Sequence, residues 1–156
     1  MYIIELKDGR EIKIETDPAN APITCENFDR LVGENFYAGI IFHRVIKNFM
    51  IQGGDPTGTG CGGSKKTIKG EFSDNGVKNT ISHERGVISM ARSQNYDSAS
   101  SQFFICQADS KFLDGQYAAF GRVVEGMDVV DEIASVRTDR RDRPIIDVVI
   151  RTIKKV

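Results

Sequence analysis

The sequence predicts a mainly β protein in which seven or eight short strands close into a barrel that two helices partly cover. Short apolar segments alternate with stretches rich in Gly, Ser, Asn and Asp, and only two segments have the spacing of an amphipathic helix. Several of the strand-like segments are apolar on both faces, which favours a closed barrel. With 156 residues, 40% of them hydrophobic and 28% charged, the chain fits one domain over residues 1–156.

The strand signal is clearest at the N-terminus. Residues 1–15 alternate apolar and charged positions on both sides of Asp8-Gly9, a dipeptide that predicts a β-hairpin turn. Further strands are predicted over six short apolar segments, at residues 40–46, 49–52, 86–90, 102–106, 118–123 and 145–153.

Two segments have helical spacing. In the first, apolar residues recur at intervals of three and four between Pro22 and Gly33, which predicts a helix over about 21–32. In the second, Met127, Val130 and Ala134 share one helical face, which predicts a short helix over about 127–135.

Charge and cysteine content exclude several functional classes. The 21 Lys and Arg residues nearly balance the 22 Asp and Glu residues, so we expect neither nucleic acid nor a membrane surface as a partner. No apolar run approaches the roughly 18 residues that span a bilayer. The three cysteines are odd in number and form no CxxC pair, which favours a reducing, cytoplasmic compartment over a disulfide framework.

Two patterns associated with cofactors lack the context that they need. Residues 58–63 have the spacing GxGxxG, but no helix is predicted after them, so we interpret this segment as a glycine-rich surface loop. Neither of the two histidines belongs to a metal or hydrolase motif. We predict that His43 is a hydrogen-bonded strand residue and that His83 lies at the surface, and we expect no metal, nucleotide or redox cofactor.

The most informative pattern mixes polar and apolar side chains on the same strand faces. Period-two alternation pairs Phe42 with Arg44, Met50 with Gln52, and Gln102 with Phe104. Long polar donors beside Phe and Met indicate a shallow apolar groove that carries hydrogen-bond donors. The alternative is an arginine whose aliphatic stem simply covers barrel residues.

The chain resembles the cyclophilin family of peptidyl-prolyl cis-trans isomerases from the first hairpin to the last strand, and the five most specific blocks of this resemblance stand in family order. The blocks are Phe42-His43-Arg44, residues 49–55 (FMIQGGD), residues 86–91 (GVISMA), residues 101–105 (SQFFI) and Leu113-Asp114-Gly115. The resemblance implies a closed eight-stranded antiparallel β-barrel capped by two α-helices, and a single isomerase domain over residues 1–156.

The resemblance also implies the site residues. Arg44 corresponds to the catalytic arginine. The implied substrate-binding residues are Phe49, Met50, Phe104 and Leu113 in a proline pocket, Gln52 and Gln102 along the groove, Ala91 and Arg92 through their backbone, and Phe112 and Tyr117 beside the pocket. Three positions depart from the common pattern: Arg92 stands where Asn is frequent, Phe112 where many members have Trp, and Tyr117 where many have His.

The implied activity is rotation about X-Pro peptide bonds, which assists protein folding and needs no cofactor. The implied partners are proline-containing peptides, unfolded or folded client proteins and, weakly, cyclosporin-type cyclic peptides, and the chain is expected to act as a monomer. The alternative function is a proline-peptide binding module or chaperone that uses the same groove without turnover. Retention of Arg44 argues against that alternative, because binding alone has no need for a cation at the imide nitrogen.

Overall fold

A computed structural model describes residues 1–156 as one curled antiparallel sheet with two helices. The strands are β1 (Tyr2–Leu6), β2 (Glu11–Thr16), β3 (Arg44–Ile46), β4 (Met50–Gly53), β5 (Val87–Met90), β6 (Phe103–Cys106), β7 (Ala119–Glu125) and β8 (Ile150–Lys155). Their order in the sheet is β3-β4-β6-β5-β7-β2-β1-β8. The helices are α1 (Pro22–Gly33) and α2 (Met127–Ala134), with short 3₁₀ turns at Ser73–Asn75 and Lys111–Leu113.

The predicted closed barrel is not confirmed, because β3 and β8 lie at opposite ends of the sheet and no ladder joins them. Only part of each segment predicted as a strand over 40–46 and 145–153 forms a regular strand, so both edge strands begin later than predicted. An isolated bridge between Ile41 and Val149 and three backbone hydrogen bonds between residues 39–42 and 148–150 connect them, among them the N–H of Phe42 donating to the carbonyl of Val148 at 3.0 Å. The sheet is therefore a half-barrel whose edges meet at a few backbone bonds.

The predicted hairpin and both helices are confirmed. β1 pairs with β2 through the turn in which Gly9 has φ +94°, a conformation that glycine adopts without strain. No side chain of α1 itself caps that helix; the buried Glu71 carboxylate accepts the N–H groups of Ile23 and Thr24 at 3.2 and 2.6 Å. Neither helix has the length and apolar character needed to cross a membrane.

The main core lies between the sheet and both helices and is built around aromatic side chains. Phe28 contacts Phe103 and Phe120 at ring-centroid distances of 6.3 and 5.3 Å. Phe42 also packs against Phe103, at 6.1 Å, and is fully buried. The prediction that Phe42 shares a face with Arg44 is therefore wrong, because the backbone at His43 is not regular strand and the alternation does not continue across it.

The glycine-rich segment 58–63 is a loop, as predicted, and no helix follows it. Its backbone is held by the buried Asp55 carboxylate, which accepts the N–H groups of Thr57, Gly60 and Gly62 at 2.8, 2.7 and 3.1 Å. Burial alone would raise the pKa of Asp55, but these donors outweigh burial and lower the pKa to about 2. The loop thus has a fixed conformation that an ionised carboxylate maintains.

Both histidine predictions are wrong in their details. His83 is not at the surface: its side chain is 1% exposed, its Nδ1 lies 2.9 Å from Asp114 Oδ1, and its Nε2 lies 2.9 Å from Ser89 Oγ. His43 directly precedes β3 and is buried, but its Nδ1 has no hydrogen-bond partner. Burial lowers the pKa of both imidazoles; Asp114 partly opposes this at His83, and Asp55 does so at His43.

The buried histidines predict loss of stability in mild acid. Since each folded-state pKa lies below the ordinary value of about 6.5, the unfolded chain binds more protons as the pH falls through that value. The stabilisation is present above pH 6.5 and decreases below it, with a slope of at most about 1.4 kcal/mol per pH unit for each histidine. Urea unfolding at pH 7.5, 6.5 and 5.5 should show a progressive decrease in the free energy of unfolding.

The variant His83→Gln separates the two histidines. It should be less stable than the wild type at pH 7.5, and its free energy of unfolding should change less between pH 7.5 and 5.5. His43→Gln is the matched comparison, because His43 is buried without the Asp114 and Ser89 contacts. An unchanged pH slope in both variants would show that other groups cause the acid sensitivity.

Candidate functional site

The strand register brings the predicted polar residues into one row. Arg44 of β3 lies opposite Gln52 of β4, and Gln52 lies opposite Phe104 of β6. Residues directly opposite each other in an antiparallel pair project from the same face of the sheet. Arg44, Gln52 and Phe104 therefore line one continuous surface across the three strands.

Hydrogen bonds along this row hold the Arg44 guanidinium. Arg44 Nη1 donates to Gln52 Oε1 at 3.3 Å, and Gln52 Nε2 donates to Gln102 Oε1 at 2.9 Å. Gln102 Nε2 in turn donates to the carbonyls of Gly60 and Gly62 at 3.0 and 2.7 Å. Arg44 is exposed and forms no ion pair, so its other donors remain available to a ligand.

An apolar cavity of about 120 Å³ opens beside the guanidinium. Its lining consists of Arg44, Phe49, Met50, Gln52, Ala91, Arg92, Phe104, Leu113 and Tyr117. Met50 and Phe104 form a buried floor, 1% and 5% exposed, and the fully buried Cys106 packs with them. Nine of the eleven predicted site residues thus meet at one cavity, and the remaining two, Gln102 and Phe112, contact its lining.

The backbone at Ala91 and Arg92 forms one side of the site. The N–H of Ala91 donates to the carbonyl of Gln102 at 3.0 Å, which continues the pairing of β5 with β6 beyond Met90. The N–H of Arg92 donates no hydrogen bond within the protein. An extended peptide lying in the groove therefore has a backbone donor available to it next to the cavity.

Phe112 lies on the outer rim. It is 67% exposed, and its ring centroid is 5.7 Å from that of Phe49. The carbonyl of Phe112 accepts a hydrogen bond from Gln116 Nε2 at 3.1 Å. A large exposed aromatic ring next to an apolar cavity offers contact area to a ligand that extends beyond the cavity.

A layer below the cavity was not predicted from the sequence. The His83 ring stacks on Phe104, with centroids 5.9 Å apart and planes 17° apart, while also contacting Ser89 and Asp114. Hydrogen bonds from Ser82 and His83 lower the pKa of Asp114, although its partial burial opposes them. Because Asp114 follows Leu113 directly, this layer supports both the floor and one wall of the cavity. The sequence did draw attention to Asp114, because this residue lies within a family block, but nothing in the sequence pattern indicated that Asp114 contacts His83.

Comparison with known proteins agrees with this geometry. The family model for cyclophilin type peptidyl-prolyl cis-trans isomerases matches residues 1–155. A peptidyl-prolyl cis-trans isomerase of Acinetobacter baylyi is 50% identical over 143 residues, covering 87% of this chain and 73% of the relative. One of Schizosaccharomyces pombe is 47% identical over 136 residues, covering 86% of each chain.

A solved structure extends the agreement to the fold. The cyclophilin type isomerase of Cryptosporidium parvum, crystallised in the presence of the dipeptide Ala-Pro, is 32% identical and covers 99% of this chain and 98% of its own, with a TM-score of 0.91. Fold, sequence and the cavity beside Arg44 agree, and the chain belongs to the cyclophilin-type peptidyl-prolyl cis-trans isomerases.

Proposed function

We propose that Arg44 is the catalytic residue and that the cavity beside it receives the proline ring of an X-Pro peptide. The observation that carries this assignment is a guanidinium without an ion pair, held by Gln52 at the edge of a small apolar cavity. Phe49, Met50, Phe104 and Leu113 hold the ring in this assignment. The backbone at Ala91 and Arg92, together with Gln52 and Gln102, orients the peptide chain, and Phe112 and Tyr117 bound the site.

The chemistry follows from the electronic structure of the amide. Rotation about the bond has a barrier of roughly 18 to 20 kcal/mol, because the nitrogen lone pair is delocalised into the carbonyl. Twisting the bond localises that lone pair and makes the nitrogen a hydrogen-bond acceptor. A permanently charged guanidinium then donates a hydrogen bond that is stronger in the twisted state than in either planar isomer, and this difference accelerates the rotation.

The guanidinium does not supply the whole rate enhancement. A hydrogen bond to a charged group contributes about 1.5 to 3 kcal/mol, which corresponds to roughly 10- to 150-fold in rate. The remainder comes from restricting the substrate: the proline ring is held on Met50 and Phe104 while the preceding carbonyl rotates. The cavity floor suits this role, because the layer of His83, Ser89 and Asp114 supports Phe104 from below.

We further propose the partners and the setting. The Ala-Pro dipeptide named with the Cryptosporidium structure supports proline-containing peptides and client proteins as substrates. Three free cysteines support a reducing, cytoplasmic compartment. The 156 residues act as one monomeric isomerase domain, without metal or cofactor, and the exposed Phe112 contacts cyclosporin-type peptides weakly.

The test of the function is an isomerisation assay on a short Ala-Pro peptide, by protease coupling or by exchange NMR. We expect acceleration by the purified chain and the same rate in the presence of a chelator. A folded chain that binds the peptide but does not accelerate its isomerisation would be a binding module, the rival function. A rate that requires an added divalent ion would contradict the proposed chemistry.

Arg44→Ala should lower kcat/KM at least tenfold while weakening peptide binding much less, because the hydrogen bond is strongest in the twisted state. Arg44→Lys should also be impaired, since a flexible ammonium lacks the planar fork of the guanidinium. Turnover and the peptide Kd are measured for each variant, with melting temperature as the control for folding. Equal losses in binding and turnover would mean that Arg44 only orients the substrate.

Phe112→Trp should tighten cyclosporin inhibition roughly 5- to 100-fold. Indole adds contact area and an N–H donor, and one hydrogen bond contributes about 0.5 to 1.5 kcal/mol. Because Phe112 is on the rim and the ring-binding floor is elsewhere, kcat/KM on a short peptide should stay within about threefold. Titration of both proteins with the drug measures the inhibition constants. If they are equal, residue 112 does not control the drug contact.

A further inference from the structure

The guanidinium of Arg92 lies among three aromatic rings. Its Cζ is 4.6 Å from the ring centroid of Tyr117, 5.0 Å from that of Tyr96 and 5.1 Å from that of Phe72. A cation within about 6 Å of a ring face is attracted by the quadrupole of that ring. One side chain therefore contacts aromatic residues from three separate segments of the chain.

The same guanidinium donates to three backbone carbonyls. Nε and Nη2 both donate to the carbonyl of Gln116, at 3.0 and 2.7 Å. Nη1 donates to the carbonyls of Ser93 and Gln94, at 2.9 and 3.3 Å. No carboxylate pairs with Arg92. The protein groups that contact this charge are therefore carbonyl oxygens and ring faces, and the side chain stays partly exposed.

Two of these contacts lead to the proposed proline site. The Tyr117 ring, which faces the guanidinium on one side, packs edge-on against Phe104 with centroids 5.9 Å apart and planes at 86°. Gln116, whose carbonyl receives two of the bonds, donates through its own side chain to the carbonyl of Phe112 at 3.1 Å. One guanidinium thus links this wall to the backbone at Arg92.

We propose that the Arg92 side chain is a positioning residue, which fixes the Tyr117 wall of the cavity at its distance from the substrate-pairing backbone. This role deepens the proposed function and rests on it. The guanidinium acts through Tyr117 and Gln116 and does not itself reach the rotating bond.

The proposal has a kinetic signature that differs from that of Arg44. The restriction that raises the rate is assigned to the floor of Met50 and Phe104, whereas we expect the Tyr117 wall and the pairing backbone to contact the proline ring and the peptide chain equally in the planar and twisted states. Loss of such uniform binding raises KM and the peptide Kd but leaves kcat nearly unchanged. A residue that hydrogen-bonds the twisted imide nitrogen, as proposed for Arg44, would instead lower kcat.

The experiment compares Arg92→Leu and Arg92→Lys with the control Arg151→Leu. Arg151 also donates to a backbone carbonyl, that of Lys7 at 2.9 Å, and to Glu5, but it lies on β8 and does not line the cavity. We expect Arg92→Leu to raise the Kd of an Ala-Pro peptide roughly tenfold with kcat within about twofold. Arg92→Lys should be intermediate, because it keeps the charge over the rings but loses the planar set of donors. Arg151→Leu should leave both constants unchanged.

A double-mutant cycle tests the path through Tyr117. Tyr117→Leu alone should raise the Kd, and Arg92→Leu should add little to it in the double variant, because both remove the same wall. In NMR spectra of the wild type, the guanidinium protons of Arg92 should be shifted upfield by the three rings and should exchange slowly with water.

Several outcomes would overturn the proposal. An unchanged Kd in Arg92→Leu together with a lower melting temperature would make Arg92 a purely structural residue. Independent, multiplicative effects of Arg92→Leu and Tyr117→Leu would exclude the path through Tyr117. If the wild type binds the peptide without turnover, the proposed function fails, but the Kd comparison still decides the role of Arg92.

Discussion

The orientation of two side-chain amides determines which atom faces the Arg44 guanidinium. Because Gln102 donates its Nε2 protons to the carbonyls of Gly60 and Gly62, its Oε1 faces Gln52 and accepts from it. Gln52 therefore presents its own Oε1, an acceptor, to Arg44. If the Gln52 amide were reversed, its NH₂ group would face the cation and repel it, and if only the Gln102 amide were reversed, two NH₂ groups would face each other. Asp55 fixes the conformation of the glycine-rich loop, and the loop carbonyls orient Gln102. Through Gln102 and Gln52, the loop thus determines which atom contacts Arg44.

The apolar half of the site depends on a different set of contacts, in which Phe104 is central. His83 stacks on one side of its ring, Tyr117 packs edge-on against it, and the cavity opens above it. His83 is itself held at both ring nitrogens. A buried imidazole with both nitrogens engaged cannot rotate without leaving a polar group unsatisfied, so the cavity floor is rigid. Rigidity matters for the proposed mechanism, because restriction of the substrate requires that the ring does not move while the carbonyl rotates.

Most of this groove could be predicted because it lies on regular strands and within family blocks. Alternation places Gln52 with Met50 and Gln102 with Phe104, and the structure confirms both pairs at the site.

The residues that were placed wrongly lie where the backbone is irregular. Phe42 precedes a break in the strand, so its side chain enters the core. The burial of His83 results from contacts with Asp114, 31 positions away, which no local pattern encodes. The prediction of a closed barrel was not confirmed for a similar reason, because pairing between the edge strands β3 and β8 depends on where distant irregular segments meet.

The site contains two arginines without carboxylate partners, and their surroundings explain why we propose different roles for them. Arg92 donates hydrogen bonds to three carbonyls and lies against three aromatic rings, so its hydrogen-bond donors are already used within the protein. Arg44 has a single contact, with a neutral amide, and is exposed at the edge of the cavity. A carboxylate beside Arg44 would compete with the weakly basic imide nitrogen for the guanidinium protons. A neutral amide orients the cation without neutralising it, and the role proposed for Arg44 requires this, because the guanidinium donors must stay free for a nitrogen that becomes an acceptor only as the bond twists.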